Sequence, residues 1–392
     1  MAWRPPGASS VPDEDAEIRA MIAQLCGQYP GEYWRELDAT STYPHAFVDA
    51  LQDAGILSML IPEEYGGTGS KLREATAALE EIHANGCNGA AAHAQMYVMG
   101  SVLRHGNEEQ KSKWLPQIAD GLRLQAFGVS EPNNGTDTLS LETKAVRAPN
   151  DDGYIVNGQK IWTSRARQSD LMVLLARTGG PDAKRSRALS TFLVDMRPVK
   201  GKEIVIQPID AMINHNTNSV FIENLFVPDD CLIGEEGDGF KSIITAMNAE
   251  RILIAAECIG DGRYFIERSV AYANEREVFG RAIGQNQSIQ HPIAKAYASI
   301  EAAKLMVYHA AALYDAGQPC GAEANMAKML AADASWEAAN VAFQTHGGYA
   351  FAKEYDIERK FRETRLYQIA PISTNLILSF VAEKVLGLPR SY

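Results

Sequence analysis

The chain has 392 residues, 46% of them hydrophobic and 22% charged, with a formal net charge of −12. That length allows two or three domains with a substantial core, and the acidic balance, with no long Lys/Arg run, argues against nucleic acid as a partner. Five cysteines (Cys26, Cys87, Cys231, Cys258 and Cys320) lie far apart with no CxxC, so neither a disulfide framework nor a zinc site is suggested and reduced thiols are expected.

The first dozen residues are Pro/Gly/Ser-rich, lack the apolar core of a signal peptide, and are expected to fray. No apolar stretch reaches membrane-spanning length. A soluble, cytoplasmic protein with no membrane partner is expected. From Asp13 the pattern turns helical: Ile18, Met21, Ile22 and Leu25 follow the i, i+3, i+4, i+7 spacing of a surface helix. Further helices are expected over 44–54, 71–84, 90–104 and 108–119, the last with Asn107 as N-cap and Gly121 as stop.

The period then changes. Residues 127–137, FGVSEPNNGTD, form a polar loop whose backbone donors and whose Ser130 and Thr136 hydroxyls suit a planar polar ring or a phosphate; an ordinary surface loop has the same composition. Segments 154–156 and 160–162 flank Asn157-Gly158, the dipeptide of a tight type I′ hairpin. Strands are expected at 171–176, 189–194, 203–207 and 219–226, with short connections that call for antiparallel pairing. Beyond Gly239 the pattern is helical, over 240–275, 288–316, 321–346 and 372–386, as in a four-helix bundle. The resulting α+β fold has a helical domain at 1–122, a middle antiparallel β-domain at 123–235 and a helical bundle at 236–392.

On the first bundle helix, Ile243, Met247 and Ile254 lie within about 60° of Glu250. Glu250 therefore falls in the apolar stripe. Such a carboxyl is either poised as a base by desolvation or paired with a buried cation such as Arg251, and the helix pattern leaves both open.

The 127–137 loop, followed by NGQKIWTS at 157–164 and by several later stretches in the same order, resembles the acyl-CoA dehydrogenase family over nearly the whole chain. The resemblance implies the same three-part architecture and an FAD cofactor. It implies that Phe127, Val129, Ser130, Trp162, Thr163 and Ser164 contact the flavin and that Thr136 reaches phosphate or substrate; Asn133 and Asn134 replace a commoner Gly-Ala pair. Arg276, Phe279 and Gln287 in REVFGRAIGQNQ, with Gln344, Gly347 and Gly348 in QTHGG, resemble segments that serve the FAD of a neighbouring subunit. A guanidinium suits a pyrophosphate, and glycines allow close backbone approach. His346, with no metal-ligand spacing near it, reads as structural. Ser373 and Asn375 correspond to the loop that closes over the flavin.

Most family members carry the base in a C-terminal Tyr-Glu-Gly-Thr motif. Here that stretch is Ala370-Pro371-Ile372-Ser373, which holds no carboxylate. A minority, including members acting on isovaleryl-CoA and long-chain acyl-CoA, place it on the first bundle helix just before an Arg, as in Glu250-Arg251. The resemblance thus implies α,β-dehydrogenation of an acyl-CoA to a trans-2-enoyl-CoA in fatty acid or branched-chain acyl metabolism, with Glu250 as catalytic base. Asn248 and Arg251, with Thr136, are the candidate substrate contacts. It further implies an electron acceptor such as an electron-transfer flavoprotein, and a homotetramer. The alternatives are a flavin oxidase or monooxygenase on the same scaffold, and a flavin-binding relative without dehydrogenase activity. The HNTNS stretch at 215–219 has turn chemistry and no assigned role.

Overall fold

The computed structural model describes residues 5, 13–180 and 183–391. The N-terminal dozen, apart from Pro5, therefore lies outside the described residues. The chain forms two compact units, one of Met1–Thr40, Lys71–Gly89 and Asn248–Tyr392, the other of Ser41–Ser70 and Ala90–Met247.

In chain order the helices are α1 (Ala16–Cys26), α2 (Gly31–Thr40), α3 (His45–Asp53), α4 (Leu72–Ala84), α5 (Ala90–His105) and α6 (Glu108–Ala119). Asn107 caps α6 as its spacing predicts: its side chain accepts from Gln110 N at 2.8 Å, and the Gln110 side chain returns to Asn107 N at 3.0 Å. The α2 helix carries one buried side chain, Trp34; a stripe that thin gives little periodic signal, so the sequence reading passes over it.

Eight strands follow: β1 (Ala126–Gly128), β2 (Lys144–Arg147), β3 (Gly153–Lys160), β4 (Leu171–Arg177), β5 (Leu189–Asp195), β6 (Ile204–Pro208), β7 (Asn218–Pro228) and β8 (Leu232–Ile233). They make one sheet in the order β6-β7-β3-β2-β4-β5-β8, with β1 beside β4. The antiparallel expectation needs a correction, because β1 and β4 pair in parallel, Phe127 opposite Val173, and β2 meets β4 in parallel at Lys144 and Arg177. The short-connection argument applies only to strands adjacent in sequence, and these pairs are separated by the excursion through β3. Both faces of β4 are buried. Met172, Leu174 and Ala176 join Tyr154, Val156 and Phe192 in one core, while Leu171 and Val173 pack with Val98, Met99, Trp114 and Leu115 of α5 and α6 in another.

The predicted hairpin at Asn157-Gly158 is also corrected. Those residues lie inside β3, where the register against β7 shifts between Val156 and Gly158. Gly158 has φ +158°, and a Cβ there would come within 2.4 Å of Thr143 Oγ1, so the glycine serves a bulge and a close strand approach. The actual turn joins β2 to β3, with Ala148 N donating to Gly153 O at 2.9 Å.

After the sheet come α7 (Gly239–Glu275), a hairpin of β9 (Glu277–Val278) and β10 (Arg281–Ala282), then α8 (Gln287–Asp315), α9 (Gly321–His346), α10 (Ile357–Arg365) and α11 (Thr374–Phe380). The boundary between the two units falls within α7. Its start packs Phe240, Ile243 and Met247 against Phe127, Val129, Leu141 and Leu175 of the strand-rich unit. Within the other unit, residues 249–262 of α7 are buried on every face. Gly260 permits this: a Cβ there would lie 2.3 Å from Glu80 O and 2.6 Å from His83 Cβ of α4.

A second feature of that helical unit is its buried charge. Glu80 meets Arg19 at 2.9 Å, Arg263 at 2.8 Å and Lys304 at 3.0 Å. Asp261 accepts from Lys360 at 2.6 Å and pairs with His83 Nδ1 at 2.9 Å. Since Gly89 N donates to His83 Nε2 at 2.9 Å, the His83 proton sits on Nδ1 and points at Asp261.

Candidate active site

In the strand-rich unit the 127–137 loop leaves β1 and is pinned by residues the sequence reading passed over. Glu131 is buried; its Oε1 accepts from Thr143 N at 2.9 Å and Lys160 Nζ at 2.8 Å, and its Oε2 from Glu142 N at 2.6 Å. Lys160, wholly buried at the end of β3, also donates to Val129 O at 3.1 Å. Burial pulls the Lys160 ammonium down to about 8 against the attraction of Glu131. Burial also opposes the Glu131 carboxylate, but Lys160 and the donors around it prevail and hold it below the ordinary range. Ile161 N donates to Ser130 O at 2.9 Å, completing the tether. The available signal was a lone Lys inside an otherwise uncharged strand and a Glu in a polar loop, a pair that only the fold brings together.

With its base held, the loop turns between Glu131 and Asn134, whose backbones exchange hydrogen bonds of 3.2 and 3.0 Å. Phe127 packs edge-on to Tyr97 at 5.6 Å, Val129 and Ser130 are half-buried, and Thr136 is exposed. Trp162 is exposed with φ +58°. Thr163 is buried: its N–H donates to Asn218 O at 3.0 Å and its carbonyl accepts from Asn218 Nδ2 at 3.0 Å. Arg165 N donates to Asn216 O at 2.8 Å. The HNTNS stretch therefore fastens the 162–165 turn, on which Trp162 stands out and Ser164 is half-buried. Phe127, Val129, Ser130 and the Trp162 turn are thus held by one connected set of bonds around β3, β7 and the loop.

In the helical unit a cavity of about 620 Å³ is lined by Tyr272, Arg276, Val278, Ile283, Thr345, His346, Gly347, Gly348, Tyr349 and Ala352. Tyr272 stacks on His346 with ring centroids 4.3 Å apart, and the Arg276 guanidinium lies 5.9 Å from the Tyr349 centroid. The His346 Nδ1 pairs with Ala342 O at 2.8 Å, and burial lowers its imidazole below the ordinary value. Gly347 has φ +58°, and neither it nor Gly348 has anything within 4 Å of a built Cβ. Backbone there is open to a close-lying ligand. A guanidinium, aromatic faces and bare glycine backbone suit a dinucleotide phosphate and base. The structure brings Arg276, Gly347 and Gly348 into this cavity; Gln287 and Gln344 are exposed, and Phe279 is fully exposed with φ +53° on the β9–β10 turn.

On α7, Glu250 and Arg251 are both buried. Arg251 Nη1 donates to Asn248 Oδ1 at 3.0 Å. Burial lowers the Arg251 guanidinium below its ordinary range, while Glu250 favours its charge. Ser373 serves as the N-cap of α11, its hydroxyl accepting from Leu376 N at 3.4 Å, and Asn375 is exposed.

Three family models match in succession: the acyl-CoA dehydrogenase N-terminal domain over residues 12–122, the middle domain over 126–225 and the C-terminal domain over 237–386. The acyl-CoA dehydrogenase FadE12 of Mycobacterium tuberculosis is 34% identical over 386 residues, covering 97% of this chain and 98% of the relative. The short-chain-specific acyl-CoA dehydrogenase of Clostridium acetobutylicum is 32% identical, covering 91% of this chain and 93% of its own. Among solved structures, butyryl-CoA dehydrogenase from Megasphaera elsdenii superposes with a TM-score of 0.90 at 25% identity, covering 97% of this chain and all of that one. The matched domains define a flavoenzyme scaffold of helical, β and helical parts. The chain belongs to the acyl-CoA dehydrogenase family.

Proposed function

We infer that Glu250 is the base with which this enzyme abstracts the α-proton of an acyl-CoA thioester. The enzyme is an FAD-dependent acyl-CoA dehydrogenase that forms the trans-2-enoyl-CoA. The observation that carries the assignment of the base is a buried carboxylate beside a buried arginine on α7, in a chain whose 370–373 stretch holds no carboxylate.

FAD, when bound, supplies the acceptor for the β-hydride. The chain's residues do the rest. Phe127, Val129, Ser130, Trp162, Thr163 and Ser164 hold the isoalloxazine, on a loop kept rigid by Glu131 and Lys160. Thr136 reaches phosphate or substrate. Arg276, Phe279, Gln287, Gln344, Gly347 and Gly348 would hold the dinucleotide of a neighbouring copy, and Ser373 and Asn375 would contribute to the loop over the cofactor. Burial keeps water from Glu250, and the Arg251 charge favours its ionised, proton-accepting form. Asn248 orients Arg251, and both belong to the substrate side.

Support for an electron-transfer flavoprotein as acceptor comes from a chain in the structure of the electron transferring flavoprotein of Acidaminococcus fermentans, which superposes with a TM-score of 0.89 at 30% identity. The cytoplasmic setting is consistent with the absence, among described residues, of any helix long and apolar enough to cross a membrane. A homotetramer follows from the cofactor segments that serve a neighbour, and light scattering on flavin-loaded protein measures it.

The direct test is anaerobic mixing with a panel of acyl-CoA thioesters. At least one should bleach the flavin absorbance with formation of the 2-enoyl-CoA; a flavin-loaded protein that no member of the panel bleaches would refute the reading.

A further inference from the structure

The cavity at the end of α9 presents a polar atom to which no partner has been assigned. His346, the last residue of α9, is buried and lines that cavity. Its Nδ1 lies 2.8 Å from the Ala342 carbonyl, one turn back on the same helix. A carbonyl only accepts, so Nδ1 carries a proton. Tyr272 covers one face of the ring at 4.3 Å, and Tyr355 meets it edge-on at 6.1 Å. The ring plane is thereby fixed from two elements. Burial and the Arg268 charge lower the imidazole below its ordinary value, against the pull of the Ala342 carbonyl, so at pH 7 it holds that one proton and Nε2 is a bare lone pair. Among the described residues Nε2 meets no hydrogen-bond donor, and it is not one of the polar atoms sealed from solvent. It therefore opens on the cavity.

A lone pair in that wall is selective. It repels a phosphate oxygen and needs a donor from whatever lies against it. The same cavity provides for phosphate elsewhere: the Arg276 guanidinium stands 5.9 Å from the Tyr349 centroid, and Gly347 and Gly348 leave backbone uncovered. In the adenosine half of the cofactor, the exocyclic amine of adenine is a donor carried on a flat ring, and the exposed Tyr349 offers a face on which that ring can stack. We propose that His346 is a specificity-determining residue for the cofactor, its Nε2 accepting from the adenine amine, so that the cavity selects adenine over a base with a carbonyl at that position. The assignment rests on the reading of this cavity as the dinucleotide site.

The flavin-loaded enzyme tests it. Holoenzyme is equilibrated at pH 7 with an equal mixture of FAD and flavin hypoxanthine dinucleotide, in which a carbonyl replaces the amine; unbound flavin is removed and the bound flavins are separated by chromatography. The parent should retain FAD in preference by about tenfold or more, the cost of setting an acceptor against a bare lone pair. His346→Phe keeps a ring on Tyr272 and drops Nε2, and it should load the two equally. A merely structural role would weaken both cofactors together and leave the preference in place. If His346→Phe does not fold, the parent decides: once the imidazole is protonated Nε2 donates, so the preference should shrink as pH falls from 7 to 5. The other groups facing the ring are Arg268 and Tyr272 from α7 and Tyr355 from the 353–355 turn, and arginine and tyrosine side chains titrate far above that range. Equal loading of the parent at pH 7, a preference that folded His346→Phe retains, or, where that variant does not fold, a preference indifferent to pH overturns the proposal. Failure of the underlying reading looks different: Arg276→Ala would then retain FAD as the parent does.

Discussion

Replacing Glu131 by Ala should loosen the flavin loop by an amount that can be worked out. With Glu131 beside it, Lys160 sits at about 8 rather than 10.5, so its charged form costs about 3.4 kcal/mol at pH 7 relative to water. Without Glu131, the escape open to it is to lose the proton, which at pH 7 costs about 4.8 kcal/mol. The increment is about 1.4 kcal/mol. Thr143 N, on a buried residue, loses its acceptor as well, at about 1–3 kcal/mol, whereas the exposed Glu142 turns to water. Hydrogen exchange at the Thr143 and Ile161 amides should therefore show a local opening free energy lower by about 2–4 kcal/mol. The deficit has a pH signature. Between pH 7 and 8 the folded variant has shed the Lys160 proton while its unfolded chain retains it, so its stability rises with pH; the folded parent, with Lys160 at about 8, sheds its proton only in part over that range, and the gap narrows by about 1 kcal/mol. Unchanged protection at both amides, or a gap that widens with pH, would refute this account of the loop.

Acid should attack the helical unit first through Glu80. Burial opposes its ionisation, but Arg19, Lys304 and Arg263 outweigh burial and hold it well below its ordinary 4.5; its contribution is complete above that value and is lost as pH falls below it, so urea melts should steepen in their pH dependence below 4.5 in the parent and less so in Glu80→Gln. Phe279→Ala should leave the circular dichroism unchanged, because this side chain is fully exposed, yet weaken FAD retention by about tenfold or more, the worth of an aromatic anchor at an interface; equilibrium dialysis showing parental retention would remove Phe279 from the cofactor segments.

Much of this was legible in the sequence because the signals were periodic or strongly patterned. The α9 helix begins and ends where its stripe does, at Gly321 and His346. Strands β4 and β5 read as strands because both faces are buried and the apolar run is continuous. Asn157-Gly158 misled because a dipeptide that tolerates positive φ also suits a bulge, and choosing between them requires the partner strand; the turn lay in the Pro-Asn-Asp-Asp-Gly run at 149–153. Glu131 and Lys160 are 29 residues apart. A pair at such a separation leaves no local trace. The candidate ligand contacts were proposed from their motifs, while the residues that hold those segments in place required the fold.

The central claim concerns Glu250, and its most direct test is single-turnover flavin reduction by Glu250→Gln with the best acyl-CoA under anaerobic conditions. The substitution keeps size and packing and removes the basic oxygen. FAD content and acyl-CoA affinity should be unchanged while reduction slows by about 10²–10⁴-fold or more, the usual range for a general base, and Glu358→Gln and Glu363→Gln should lose far less. Reduction at close to the parent rate would place the base elsewhere, and loss of FAD or of the fold would make Glu250 a structural partner instead.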